Sequence, residues 1–486
     1  MPRPASSKVI PIKPLSAAGT QKAAASLFES QARIHPRSVS GVFARWRWVM
    51  VWVTQAVFYG MPWLQWNGRQ AVLFDLLERR FFVFGLVLQP QDLIYLAALL
   101  VLSALALFFF TAVAGRLWCG YSCPQTVYTE IFLWVERRLE GDRVARMRLD
   151  DAPWGATKLA RRGGKHLAWM AIALVTGFTF VGYFTPIRAL LADTVALRLS
   201  SWEAFWVLFY GAATYGNAGY LREQVCKFMC PYARFQSALI DGDSLVITYD
   251  TARGEPRGSR SRKADPRALG LGDCVDCTLC VQVCPTGIDI RKGLQNECIG
   301  CAACIDVCDS VMERVGYAKG LIRYATGNGV ANGWTRAQMV RRTFRPRVLI
   351  YGALLLAVAS AFTVSLWLRS DFSVNVIRDR SALARVDDSG GVENVYRLQV
   401  VNSTEQPRRY RVSVAGLPEV AIATTRDLDV AANAIGTLTV RATLPALHAQ
   451  ALPAGAHTIE FAVTPVAPQQ EAAHTVRERS TFYVRH

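Results

Sequence analysis

The 486-residue chain predicts a polytopic α-helical membrane protein with a cysteine-rich domain inserted before its last span and an immunoglobulin-like β-sandwich at its C-terminus. Three observations predict it. The chain is 52% hydrophobic, and its apolar residues gather in five runs near the length of about twenty that a bilayer core requires. Eight of its 12 cysteines crowd into "CVDCTLCVQVC" and "CIGCAACIDVC". Beyond residue 370 the texture changes to short β-rich runs separated by turn residues.

Residues 1–42, opening "MPRPASSKVIPIKPLSAAGT", lack the apolar core of a signal peptide and read as a basic, poorly ordered cytoplasmic tail. Residues 43–230 hold four expected spans, at about 44–63, 91–114, 166–187 and 203–221. The fourth is the weakest, because Asn217 and several glycines occupy its last turns. Ten Lys and Arg residues lie between the second and third runs, against only Arg188 and Arg198 between the third and fourth. That asymmetry sets the N-terminus inside. The loop with Arg69, Arg79 and Arg80 then falls outside, where "FFVFGLVL" reads as an interfacial segment. Residues 231–346 form the cytoplasmic cysteine-rich domain, 347–369 the fifth span, and 370–486 a periplasmic sandwich. The sandwich has no cysteine, and its scattered His448, His457, His474 and His486 suggest no catalytic site. "NST" at 402–404 matches a glycosylation sequon of little weight in a bacterial chain. The net charge of +18 admits a nucleic-acid partner in principle, but basic inner loops of a membrane protein account for it, and none is expected.

The cysteine-rich domain carries the strongest chemical signal. Cys274, Cys277, Cys280 and Cys284 follow C-x2-C-x2-C-x3-C-P, and Cys298, Cys301, Cys304 and Cys308 repeat the spacing with Asp309 in place of the proline. This is the bacterial two-cluster ferredoxin pattern, in which the fourth cysteine of each run ligates the other cluster. One [4Fe–4S] cluster is therefore expected on Cys274, Cys277, Cys280 and Cys308, and a second on Cys298, Cys301, Cys304 and Cys284. Paired zinc knuckles would need two ligand pairs rather than a triplet and a distant fourth. Thiolate ligands of this kind belong in a reducing compartment.

The last four cysteines form two matching C-x-x-x-C-P pairs, Cys119 with Cys123 after the second run and Cys226 with Cys230 after the fourth. On a continuous helix each pair would share one face, but Pro124 and Pro231 are expected to disturb that turn. Four thiols at one membrane surface suit a soft metal, Cu(I) first, or a thiol–disulfide shuttle. The plainer alternative is burial as small apolar residues. Bis-histidine haem is not supported, since only His166 lies near a span, and no strand-linked G-x-G-x-x-G offers a Rossmann site.

With "WCGYSCPQTVYTEIF", "CKFMCPYARFQSALID", the paired cysteine runs, "CDSVMERVGYAKGLIRY" and a β-rich tail opening in "VIRDR", the chain resembles the CcoG/FixG family, also called RdxA or RdxB. The resemblance covers nearly everything after residue 40. These are accessory proteins of cbb-type cytochrome c oxidase in the bacterial inner membrane, regarded as reducing Cu(II) to Cu(I). By this resemblance Cys119, Cys123, Cys226 and Cys230 are the catalytic copper site and the other eight cysteines an electron relay. Copper is then a substrate or bound ion, and a copper-transporting P-type ATPase and other oxidase-assembly factors are the implied partners, with an unidentified electron donor. Two rival functions are a membrane ferredoxin passing electrons from quinol or a soluble donor to a partner enzyme, and a non-enzymatic redox sensor or assembly scaffold.

Overall fold

Twenty-two residues without a charge, "LIYLAALLVLSALALFFFTAVA", have no way to satisfy their backbone in hydrocarbon except as a helix, and Leu93–Ala114 is one. The computed structural model describes residues 34–260, 268–379, 384–386, 390–424, 426–466 and 475–485. Pro346–Trp367 runs beside that helix, with the Tyr95 hydroxyl 3.2 Å from Ser365 Oγ and Gly352 facing the Phe109 ring. A third helix, Ala156–Val181, packs on Ser201–Tyr215 so closely that a Cβ on Gly177 would lie 2.3 Å from the Val207 carbonyl oxygen. Small residues permit such backbone approach between helices in a membrane.

Among the described residues these three, Leu93–Ala114, Ala156–Val181 and Pro346–Trp367, are the helices long and apolar enough to cross a membrane. The run expected near 166–187 begins at Ala156 and ends at Val181. The run expected at 44–63 is helix Val42–Gly60, whose opening turns carry Arg45 and a buried Arg47. The run at 203–221 is regular only over Ser201–Tyr215, and Gly216–Leu221 winds into a π-helix where Gly216, Asn217 and Gly219 weaken the α-helical ladder. The segment around "FFVFGLVL" is a three-stranded antiparallel meander, Val72–Asp75, Arg80–Val83 and Leu86–Leu88.

The cysteine-rich insertion is closed by its own ends. Strand Val246–Tyr249 pairs antiparallel with Ile322–Ala325, and between them helices Leu279–Gln282 and Ala303–Val315 pack into one apolar core. Part of the expected tail is not loose. Over residues 34–41, Arg37 N–H donates to Gln282 O at 2.8 Å, Ser38 is held by Asp142, and Ile34 rests on Gly287. Residues 1–33 lie outside the described residues.

The C-terminal sandwich has two antiparallel sheets. One orders Ala421–Ile422, Ile435–Leu444, Val392–Asn402 and Phe372–Arg378, with Arg385–Val386 beside the third. The other orders Asp427–Val430, Arg408–Ala415, Gly455–Pro465 and Val476–Val484. Alternating side chains meet between them, Tyr396 edge-on to Phe461 and Phe372 against Tyr410. Asn402 of the sequon is fully buried and donates to Gln406 O at 2.8 Å. His457 bonds Pro453 O, and His474 and His486 lie outside the described residues. On the same side of the molecule, Arg69 meets Glu405 at 3.2 Å and Arg369 meets Asp92 at 2.6 Å, latching sandwich and meander to the helices.

Candidate metal centres

The two cysteine runs fold alike. In each C-x2-C-x2-C stretch two residues adopt left-handed backbone at equivalent positions, Asp276 and Thr278 in the first and Gly300 and Ala302 in the second. These turns curl each loop, and in the second the Gly300 and Ala303 amides face the Cys298 and Cys301 sulfurs, as suits an anionic cluster. Thr278 and Ala302 then cap the helices that carry Cys280 and Cys304.

Each loop borders an apolar cavity. Cys274, Cys277, Cys280 and Cys308 line one, with Tyr249, Leu279 and Met312. Cys284, Cys298, Cys301 and Cys304 line the other, with Ile247, Ile288 and Ile299, and Cys280 borders both. The donor set is all sulfur and the walls are mostly apolar, with Cys277 alone among the eight cysteines exposed. Burial pushes the Cys280 thiol up to about 11 and Cys298 and Cys308 up to about 12, and it raises Cys304 far above its ordinary value. Such thiols keep their protons until a metal centre displaces them. The residues fit two cuboidal clusters, each gripped at four corners.

The juxtamembrane pairs are built alike too, but not as a shared helical face. The helix breaks inside each motif. Cys119 lies on Leu117–Tyr121 and Cys226 in the π-helical Val225–Met229, while Cys123 and Cys230 turn extended (ψ 128° and 108°) to cap helices Pro124–Leu139 and Pro231–Leu239. Each proline is the first helical residue, where its missing N–H costs nothing, and it forces the cysteine before it out of helical geometry. In both motifs the second cysteine's N–H reaches back five residues, Cys123 to Trp118 O at 3.0 Å and Cys230 to Val225 O at 2.8 Å.

The four thiols lie within electrostatic reach of one another. Burial first, then the neighbouring thiols, push Cys119 up to about 12 and Cys226 up to about 11, with the Arg116 guanidinium opposing. Burial also raises Cys123, although the Thr126 and Gln125 amides face its sulfur. Cys119 donates to Gln236 Oε1 at 3.1 Å, and Gln236 is fully buried. Among the described residues no three His, Cys, Asp or Glu side chains converge on a single ion. A pair of thiolates is nonetheless enough for Cu(I), which prefers few soft ligands.

The two kinds of site touch. Cys119 and Cys226 pack against the same core that buries Cys274, Cys280 and Cys301. A Cβ on Gly120 would stand 2.7 Å from Gly300 O and 3.0 Å from Cys301 Cα, and one on Gly300 would stand 2.9 Å from Arg116 O. Arg116 donates to the carbonyls of Asn296, Cys298 (3.2 Å) and Ala233, joining the second cluster loop to the helix after Cys230.

Sequence reasoning missed Arg116, whose signal was its place three residues before Cys119. It also missed Glu136, a buried carboxylate held by Arg222 (2.6 Å), Arg146 (2.8 Å) and Lys165 (3.9 Å), which ties the helix after Cys123 to the turn before Cys226. Asp306, between Cys304 and Cys308, accepts from the N–H groups of Phe43 (3.2 Å) and Ala44 (2.7 Å). His166 Nδ1 meets the Tyr215 hydroxyl at 2.9 Å, edge-on to the buried Trp169.

Comparison with known proteins agrees with this anatomy. Residues 221–327 match the family model described as a 4Fe-4S dicluster domain, and residues 96–141 match a 4Fe-4S binding domain. Residues 362–485 match the IG-like fold at the C-terminus of FixG. The nitrogen fixation protein FixG of Rhizobium meliloti is 39% identical over 423 residues, covering 81% of each chain. Protein RdxA of Cereibacter sphaeroides is 40% identical over 433 residues, 86% of this chain and 91% of that one, and RdxB of the same organism is 39% identical over 411 residues, 82% and 85%. A crystal structure of a FixG-related protein from Vibrio parahaemolyticus, 29% identical, covers 24% of this chain and 97% of its own with a TM-score of 0.20. With such identity over more than four fifths of its length, the chain belongs to the FixG/RdxA/RdxB family of iron–sulfur redox proteins.

Proposed function

We propose that this protein is a cupric reductase of the bacterial inner membrane, delivering Cu(I) for assembly of cbb-type cytochrome c oxidase. One observation carries the reading. Gly120 of the first cysteine pair lies against Gly300 and Cys301 with no side chain between them, so an electron at the second cluster loop has a covalent and van der Waals path to the thiols. Bound [4Fe–4S] clusters supply one-electron carriage. Cys274, Cys277, Cys280 and Cys308 would hold one, and Cys298, Cys301, Cys304 and Cys284 the other. Cys119, Cys123, Cys226 and Cys230 bind copper, and each Cu(II) gains one electron to become Cu(I), which the soft thiolates then favour. Arg116 offsets the negative charge that thiolates bring into a buried site.

With five spans, the charge asymmetry of the loops favours the N-terminus and cluster domain in the cytoplasm and the sandwich in the periplasm. A copper-transporting P-type ATPase and other oxidase-assembly factors then take the product from the cytoplasmic face.

The test is anaerobic mixing of dithionite-reduced, desalted protein with Cu(II), following cluster absorbance and a Cu(I) chelator. Wild type should reoxidise rapidly with one Cu(I) formed per electron. A protein with Cys119, Cys123, Cys226 and Cys230 all changed to Ser should keep about eight irons, the content of two [4Fe–4S] clusters, and lose that reaction. Equal rates in the two proteins would leave a relay to another enzyme, and no reaction in wild type would leave a scaffold.

A further inference from the structure

We propose that the cavity walled by Arg116, Ser237, Ile240, Leu294, Asn296 and Cys298 is a quinol-oxidation site that feeds the relay. The inference rests on the iron–sulfur relay proposed above and goes beyond it by assigning the electron donor.

Position comes first. Ala114, the last residue of the apolar Leu93–Ala114 helix, also borders the cavity, so it sits where a lipid-soluble carrier reaches the bilayer edge. Its volume is about 100 Å³, so that only the ring of such a carrier enters and the apolar tail stays in lipid. Leu117 and Leu294 line it while 41% and 52% exposed, an apolar lip matched to a ring that arrives through lipid.

Chemistry comes second. Arg116 is only 8% exposed, and its two terminal nitrogens are spent on backbone carbonyls, yet its Nε–H has no hydrogen-bond partner. Among the described residues no carboxylate pairs with it. A buried donor left open favours an oxygen acceptor, and a quinol or quinone ring oxygen is one that needs no counter-charge. The Asn296 and Gln295 side chains and the Ser237 hydroxyl add polar groups to the same wall.

The third point is the acceptor. Cys298 is itself part of the wall, so nothing separates a bound ring from a ligand of the second cluster site. Oxidation of one quinol to quinone breaks two O–H bonds and releases two electrons and two protons. The electrons leave singly past Cys298 and reduce two Cu(II) to two Cu(I), and the protons pass to water at the cavity mouth. A two-electron donor thus matches a relay with two one-electron sites.

The test uses holoprotein in lipid nanodiscs without oxygen. Decyl-chain quinol should produce the reduced-cluster EPR signal, and an azidoquinone photolabel should map by mass spectrometry to 114–117, 237–246 or 294–298. Leu294→Trp and, separately, Ser237→Trp should abolish both, while iron content and the dithionite-reduced EPR spectrum stay those of wild type. The proposal is overturned if quinol leaves wild type oxidised, if the label maps elsewhere, or if both cavity-filling variants are reduced as fast as wild type. Failure here with Cu(II) still reoxidising dithionite-reduced protein would leave the copper reading standing. Quinol reduction without any Cu(II) reaction would remove the copper reading alone.

Discussion

The two cysteine pairs share a motif and a backbone break, yet they are held in opposite ways. The Cys119 pair follows a regular helix and is clamped from outside, by Gly300 against Gly120 and by Arg116 across the Cys298 loop. The Cys226 pair begins within the second of two π-helical stretches, Gly216–Leu221 and Val225–Met229, with Arg222 between them in left-handed backbone (φ 32°), and Cys226 itself is half-buried. Phe228 and Met229 stand 58% exposed. The difference teaches two ways of placing a thiol against one core: the first pair is docked by backbone contact to the Cys298–Cys301 loop, and the second is set by π-helical winding. π-Helical turns inside helices gather at functional sites for this reason.

The sharpest way to break the comparison is a matched pair of glycine substitutions. Gly120→Ala places a methyl group against backbone atoms that cannot yield, while Gly216→Ala meets nothing within 4 Å. Stopped-flow reoxidation by Cu(II) should slow about 100-fold in the first, the scale on which an ångström of misplacement acts. It should be unchanged in the second.

Next comes Glu136→Gln, which uncouples the two junctions by stranding Arg146 and Arg222, while Lys165 keeps Glu140 at 2.8 Å. Leaving buried charges unpaired should cost about 3–5 kcal/mol, read as a lower Tm in detergent at pH 7. Burial pushes the Glu136 carboxyl up, but Arg222 and Arg146 outweigh it and hold it below the usual carboxylate range. A depressed carboxylate contributes stability that is complete above its unfolded pKa and lost as pH falls through the folded one. The gap between wild type and variant should therefore persist at neutral pH and close only in acid.

Gln236→Leu removes the acceptor of the Cys119 thiol and should cost about 1 kcal/mol. Copper affinity should change at the first pair and not at the second, as cysteine-labelling protection would register. The smallest effect belongs to Glu405→Ala, far from both pairs. A partly exposed ion pair contributes only about 0.2–1 kcal/mol, so copper chemistry should not respond at all.

What the sequence disclosed was whatever its local spacing could carry. The two quartets of cysteines around two cavities follow from intervals of three and four residues, and the sandwich strands follow from alternation. Leu93–Ala114 and Pro346–Trp367 stand out because no charged residue interrupts 93–114 or 348–367. The fourth run read as the weakest, on Asn217 and the glycines of its last turns, but its π-helical winding did not, since hydropathy cannot see backbone geometry. Arg116 lies 180 residues from Asn296 and Glu136 lies 86 from Arg222. No periodicity spans such separations, so the clamps that join pair to cluster and pair to pair became visible only in three dimensions.

Asp306 adds a matter of timing. The N–H groups it accepts belong to the start of the first long helix, yet the carboxylate is synthesised 262 residues after Ala44. It also stands midway between Cys304 and Cys308, one from each predicted quartet. A chain emerging from the ribosome thus makes its opening helix early and secures it late, once the segment carrying Cys304 and Cys308 has folded against it.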